Sequence, residues 1–161
     1  MVSGATHAQN QERWDHRGSI GLLVGGGVEA RSAIGPSGQG DTGVRLIPEV
    51  GGTFALSERL NLKISGRVGL LGPALTGMAL AGVRSLYGER FKTFFDLEAS
   101  VTFPVFTIGP KVAFGVQYEL LNVIGAFASG GVNFGVGPTG ARLGFELMLG
   151  FHFRTYLFEA P

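Results

Sequence analysis

The sequence predicts an all-β protein whose eight antiparallel strands, connected up-and-down, close into a barrel. Three observations predict it. From Gly18 onward, apolar residues alternate with polar or small ones, the two-residue period of an extended chain with two unlike faces. Between these segments stand clusters of Gly, Pro, Asn and Ser, the residues that make turns. Glycine reaches 28 of 161 residues with no G-X-Y period, and 45% of the chain is hydrophobic, which rules out both collagen and a disordered low-complexity chain.

The elements follow in order. Residues 1–17 are polar (Gln9, Asn10, Gln11, Glu12, Arg13, Asp15) and read as a flexible tail, leaving 18–158 for the barrel and 159–161 as a short C-terminal tail. In the first strand, 19–31, Ile20, Leu22, Val24, Val28 and Ala30 oppose Gly21, Leu23, Gly25, Glu29 and Arg31. The second, 43–55, sets Val44, Leu46, Pro48, Val50 and Phe54 against Arg45, Glu49, Gly51 and Thr53. The third, "LNLKISGRVGLLG", is the clearest: Leu60, Leu62, Ile64, Val68 and Leu70 oppose Asn61, Lys63, Ser65 and Arg67. The fourth, 75–87, is the weakest, with Val83 and Tyr87 facing away from Arg84, and a short helix competes with a strand. The fifth opposes Phe91, Phe95, Leu97, Val101 and Phe103 to Lys92, Asp96, Glu98 and Thr102. The sixth opposes Val112, Phe114, Val116 and Tyr118 to Lys111, Gln117 and Glu119. In the seventh, Ile124, Ala126, Ala128, Gly130, Val132 and Phe134 share one face. In the eighth, Leu143, Phe145, Leu147, Leu149, Phe151 and Phe153 oppose Glu146, His152 and Arg154. Tight turns (57–59, 88–90, 121–122) mark one end; longer Gly/Pro loops (32–42, 72–74, 104–109, 135–140) mark the other.

Alternation alone leaves open which face is inside. A soluble barrel turns its apolar face inward around a ligand; a membrane barrel turns it onto lipid. No charged residue falls on the apolar face of any strand, whereas eight cations and six anions fall on the other, among them Arg45, Glu49, Lys63, Arg67, Asp96, Glu98, Lys111, Glu119, Glu146 and Arg154. That charged face is also rich in glycine and small residues. A water-facing surface has no need of them, but the narrow interior of an eight-stranded barrel does. Aromatics are placed with direction: Trp14, Phe54, Tyr87, Phe91, Tyr118 and Tyr156 gather at the tight-turn end, Phe103 and Phe134 at the other, as interfacial girdles do. Each strand has about the 9–11 residues that cross a bilayer at a tilt. The expected architecture is therefore a transmembrane β-barrel with an apolar exterior and a polar, side-chain-filled lumen in which the charges pair.

Composition bounds the rest. Charged residues are 16% of the chain, well below the soluble norm of about a quarter. A net charge of +1 with no basic stripe gives no footprint for nucleic acid. The absence of cysteine removes disulfides and thiolate metal sites. No run approaches the ~20 apolar residues of a transmembrane helix. Neither a basic n-region nor an apolar h-region follows Met1, so an exported form is expected to begin as a mature or re-started chain.

Strands three, five, six and eight, with the closing "LGFHFRTYLF", resemble the small eight-stranded bacterial outer-membrane proteins typified by the outer-membrane protein A transmembrane domain. Gly150, Phe151, Phe153 and Phe158 resemble the aromatic C-terminal signal by which such proteins are recognised for insertion. The chain departs from the family in ending "EAP" after its last aromatic, and in carrying Pro48 within a strand. The resemblance implies integral residence in the bacterial outer membrane with a periplasmic N-terminal tail.

Candidates for chemistry are few. His7 and His16 lie in the tail, and His152 faces the lumen beside Arg154 with no nominated nucleophile, so a structural role is expected. Some barrels of this size modify lipids with Ser/His/Glu groups at the outer rim; here that rim offers Ser32, Ser37, Asp41, Thr42, Thr76 and Thr139 and no histidine. No convergent metal ligands and no phosphate loop are evident, and neither cofactor nor metal is expected. The lumen charges read either as a pore lining or as a solid, stabilising core, the latter being usual at this strand number. The expected function is a non-catalytic structural or assembly component of the envelope that contacts outer-membrane lipid. A protein partner would meet it at the small-residue face of Ala126, Ala128 and Gly130 or at the N-terminal tail. A lipid-modifying enzyme and a soluble barrel holding an apolar ligand are the alternatives.

Overall fold

The computed structural model describes residues 17–35, 42–72 and 74–157. These form β1 (Ser19–Ile34), β2 (Gly43–Leu46), β3 (Glu49–Ala55), β4 (Leu60–Gly69), β5 (Thr76–Gly88), β6 (Phe91–Phe103), β7 (Thr107–Leu121), β8 (Ile124–Gly137) and β9 (Gly140–Tyr156). Each strand pairs antiparallel with its neighbour, and β1 pairs with β9 from Ser19↔Tyr156 to Ile34↔Ala141, so the sheet closes on itself. Closure leaves no open edge, the condition for placing β-structure in a medium without hydrogen-bonding solvent.

β2 and β3 are one wall strand interrupted at Pro48, so the barrel has eight walls. Pairing with β1 holds the same register on both sides of the break, Val28↔Leu46 before it and Gly25↔Glu49 after it. The carbonyl of Pro48 accepts from Val68 N–H at 3.2 Å, but proline has no N–H to return, and the ladder lapses for one step without a bulge.

The segment 75–87, for which a helix competed in the sequence, is a strand. Its alternation was blurred because Met78, Leu80 and Leu86 point inward beside Arg84, so apolar residues occupy both faces. The loop end also differs from expectation. Strand pairing reaches Thr102↔Thr107 and Gly137↔Gly140, which shrinks the expected loops 104–109 and 135–140 to turns of 104–106 and 138–139. The second of these turns re-enters β9 through Gly140 at φ +128°, a conformation open to glycine and strained for other residues.

The first and last described residues meet at the end with the tight turns. Gly18 N–H donates to Ala55 O (3.1 Å), and Leu157 N–H donates to Gly18 O (3.4 Å). Leu62, Phe95 and Leu149 face outward with 44%, 43% and 67% of their surface exposed. A soluble barrel would have gathered them at its centre. Its interior is instead charged, which removes the basis for an apolar-ligand barrel. Six apolar side chains do turn inward as a cluster, Leu23, Ile47, Leu86, Phe94, Phe127 and Met148.

Candidate functional site

The lumen is built from the inward face of every wall. Register alone sets three of its ion pairs, of which Arg84–Asp96 across β5 and β6 is one. Glu49 is directly opposite Arg67 across β3 and β4, and Glu98 is directly opposite Lys111 across β6 and β7. Arg67 Nη2 meets Glu49 Oε2 at 2.7 Å, and Lys111 Nζ meets Glu98 Oε2 at 2.6 Å. Other pairs leap a strand. Lys63 Nζ reaches Glu98 at 3.2 Å across β5, and Lys111 Nζ reaches Glu146 at 3.1 Å across β8. Glycine makes room in both places: Gly82 lies between Lys63 and Glu98 in the register, and Gly131 lies opposite Glu146. Lys63 also meets Glu49 at 3.2 Å, and Arg67 pairs with Glu146 across the barrel.

These contacts make a closed cycle, Lys63–Glu49–Arg67–Glu146–Lys111–Glu98 and back to Lys63, in which cation and anion alternate. Asp96 hangs from Lys63 at 3.2 Å and is gripped by Arg84 through Nε (2.7 Å) and Nη2 (2.8 Å). The whole assembly carries four positive and four negative side chains, all buried. Charge taken out of water is tolerable only in such mutual compensation. Arg84 lays its guanidinium 3.9 Å from the centre of the Phe94 ring, joining the ionic layer to the apolar cluster.

The other sequence-predicted charges belong to separate groups. Glu119 and Arg154 form a two-pronged pair near the turn end (2.6 and 3.0 Å), with Lys92 Nζ at 3.3 Å and Gln117 donating at 2.7 Å. Arg45 lies at the loop end and donates to Thr76 Oγ1 at 2.9 Å, which places Thr76 inside the lumen and off the rim. There Arg31 holds Glu29 at 2.7 Å, and Arg142, missed in the sequence, turns inward to Thr102 Oγ1 and Val105 O. A cavity of about 10 Å³ lined by Glu29, Arg31, Arg67 and Thr76 has room for one water, and not for a channel.

His152 bridges Thr53 Oγ1 (Nε2, 2.8 Å) and Arg154 Nη2 (Nδ1, 2.9 Å). A guanidinium only donates, so Nδ1 is the accepting nitrogen and Nε2 carries the proton toward Thr53. A base must present a lone pair to the hydroxyl it activates. His152 presents an N–H, so this pair is a structural brace. Gly21, opposite Thr53 in the register, leaves the space the imidazole fills. Of the rim hydroxyls, Ser32, Thr42 and Thr139 are exposed, and Thr42 Oγ1 accepts from Ala33 N–H at 3.2 Å; Ser37 and Asp41 lie outside the described residues. Among the described residues no three His, Asp or Glu side chains converge as metal ligands.

Outside, Phe54, Tyr87, Phe91, Tyr118 and Tyr156 ring the turn end; Trp14 and Phe158 lie outside the described residues. Tyr156 Oη donates to Asn122 O at 3.1 Å, and Arg90 stands 5.2 Å over the Tyr118 ring. Ala128 and Gly130 floor an outward apolar groove between Phe114 and Val116 on one side and Leu147 and Leu149 on the other. Ala126 continues the same outward face of β8.

Several inward residues escaped the sequence reading. Phe94, Phe127 and Met148 look like interruptions of an alternating pattern, and only the two-residue period they share with Asp96, Asn133 and Glu146 of the same strands marks them as lumen residues. Arg142 escaped because it lay between the expected loop, 135–140, and the expected start of the last strand at Leu143.

Comparison of the fold decides what kind of barrel this is. Neisserial surface protein A superposes with a TM-score of 0.71 at 12% identity, over 86% of this chain and 97% of that one. The fold is that of the small outer-membrane β-barrels. The N-terminal β-barrel domain of Pseudomonas aeruginosa OprF matches at 0.64 (12% identity, 86% and 98% covered). A de novo designed transmembrane β-barrel matches at 0.61 (13% identity, 86% and 97% covered). No family model matches the sequence, and no curated protein matches it significantly. At these identities the likeness is one of fold.

Proposed function

We propose that the chain is an integral barrel of the bacterial outer membrane, with its N-terminal tail in the periplasm. It acts there as a structural or assembly component, with neither an open pore nor a catalytic centre. The single observation that carries this reading is the inversion of the barrel: strands whose outward faces are apolar and uncharged, around a lumen packed with a neutral ionic cycle. Such an exterior is stable against hydrocarbon, and such a lumen passes no ions.

The test is fractionation with alkaline extraction, followed by gels run with and without boiling and by conductance in planar bilayers. Retention in the outer membrane, a heat-dependent shift in migration and no conductance steps are expected. A protein that stays monomeric and soluble without detergent would overturn the reading. The enzyme alternative is tested by mass spectrometry of lipid A from cells carrying the protein or its His152→Asn variant. Identical spectra, matching those of cells without the protein, are expected.

The groove over Ala128 and Gly130 supports contact with a second envelope protein, since small side chains let another surface approach the backbone. Ala128→Phe is expected to fill the groove and weaken a co-purifying complex while the heat-dependent gel shift persists. An undiminished complex would remove the groove from the interface.

A further inference from the structure

The two rims of the barrel are chemically unlike. At the turn end the exposed residues include Glu58, Arg59, Glu89 and Arg90, and Arg17 pairs with Glu58 in the open at 3.3 Å. At the loop end, no described exposed residue is ionised, and the exposed polar side chains are the hydroxyls of Ser32, Thr42 and Thr139. What that rim offers is Leu71, exposed over 82% of its surface, Leu75 over 68%, and Val105 and Phe106. Its arginines, Arg31, Arg45 and Arg142, are buried in the lumen.

We infer that the barrel's loop end is submerged in the bilayer at the β4–β5 turn, where Leu71 and Leu75 are in contact with acyl chains. The inference rests on the membrane reading proposed above and extends it to the rim. Three observations support it. First, the apolar surface is continuous: the outward row of β4 runs through Val68 and Leu70 into Leu71, and Phe103 of β6 runs into Phe106, whose rings meet edge-on at 6.1 Å. Second, the wall is low at this point. β4 has 10 residues, which at ~3.3 Å per residue and a ~40° tilt rise about 25 Å, the height of the apolar band alone. A turn at its top therefore leaves the wall at the edge of the hydrocarbon. Third, Leu71 has φ +59°, a conformation that favours glycine or asparagine. A leucine there gains nothing in the backbone, and its side chain finds an apolar environment only if lipid covers the turn.

The chain has no cysteine, so single-cysteine variants can report each position. Ile64→Cys lies mid-strand on the outward face of β4, Leu71→Cys lies at the turn above it, and Glu58→Cys lies at the charged rim. Each would be labelled with a bimane fluorophore and reconstituted in lipid nanodiscs containing doxyl-phosphatidylcholine, which leave both rims open to solvent. Fluorescence at 64 and 71 is expected to be quenched by the doxyl lipid, and that at 58 to persist. A charged maleimide, which needs a hydrated thiolate, is expected to react at 71 about tenfold or more slowly than at 58. If 64 is quenched while 71 stays bright and reacts as fast as 58, the rim stands in water and a protein must cover it. The inference would then fail and the membrane reading would survive. If 64 is also unquenched, both fail.

Discussion

Arg67→Met is expected to destabilise the barrel by about 3–5 kcal/mol, the cost of removing one partner from a buried ion pair. Arg67 bonds both Glu49 and Glu146, through Nε and Nη2 to the first and Nη1 to the second. Methionine fills much of the same volume but leaves two buried carboxylates with Lys63 and Lys111 as their remaining cationic partners in the cycle. Urea unfolding of the detergent-solubilised protein, followed by gel migration, reads the change. The double variant Arg67→Met/Glu146→Gln restores the charge balance of the cycle. It should recover a substantial part of the loss, whereas additive losses would show that Arg67 and Glu146 act independently. A single variant as stable as the parent would mean that the cycle does not bear on folding at all.

The architecture was legible in the sequence because one-sided burial forces a strict period of two, and β4 and β6 keep that period with few interruptions. It was least legible where the lumen accepts apolar residues. In β5, Met78, Leu80 and Leu86 point inward, and the pattern loses the contrast that a reader of periodicity needs. Apart from Arg142, the charged residues of the site were identifiable, since a membrane-facing surface leaves them nowhere else to go. Their grouping was not. Which carboxylate meets which cation depends on the stagger between strands, and that is set by turns such as Pro138–Thr139, whose lengths were misjudged by several residues. The separation of Glu119 and Arg154 from the central cycle, and of Arg45 from both, follows from that stagger. His152 shows the limit most clearly. Its sequence neighbours gave Arg154, but its hydroxyl partner, Thr53, lies 99 residues away and comes into reach because β1, between them, has a glycine at position 21.

The same logic explains the glycine content and gives the second large effect. Gly82→Ala is expected to cost about 1–3 kcal/mol by overpacking, although it adds a single methyl group to a strand. A β-carbon built there would stand 2.0 Å from Leu97 O and 2.6 Å from Glu98 Cα, backbone atoms that cannot rotate aside. Moving them would also part Lys63 from Glu98, which meet across this glycine. Gly66→Ala is the matched control: it lies on the outward face of β4 with nothing within 4 Å of its β-carbon. At that position the lost freedom of the unfolded chain should make alanine neutral or stabilising by up to ~1 kcal/mol. Unfolding midpoints of the two variants in the same detergent compare them directly. Equal midpoints would mean that glycine is used here for chain freedom in general. A loss confined to Gly82 would mean that lumen glycines are spacers, holding open the gaps through which one strand's charge reaches the next but one.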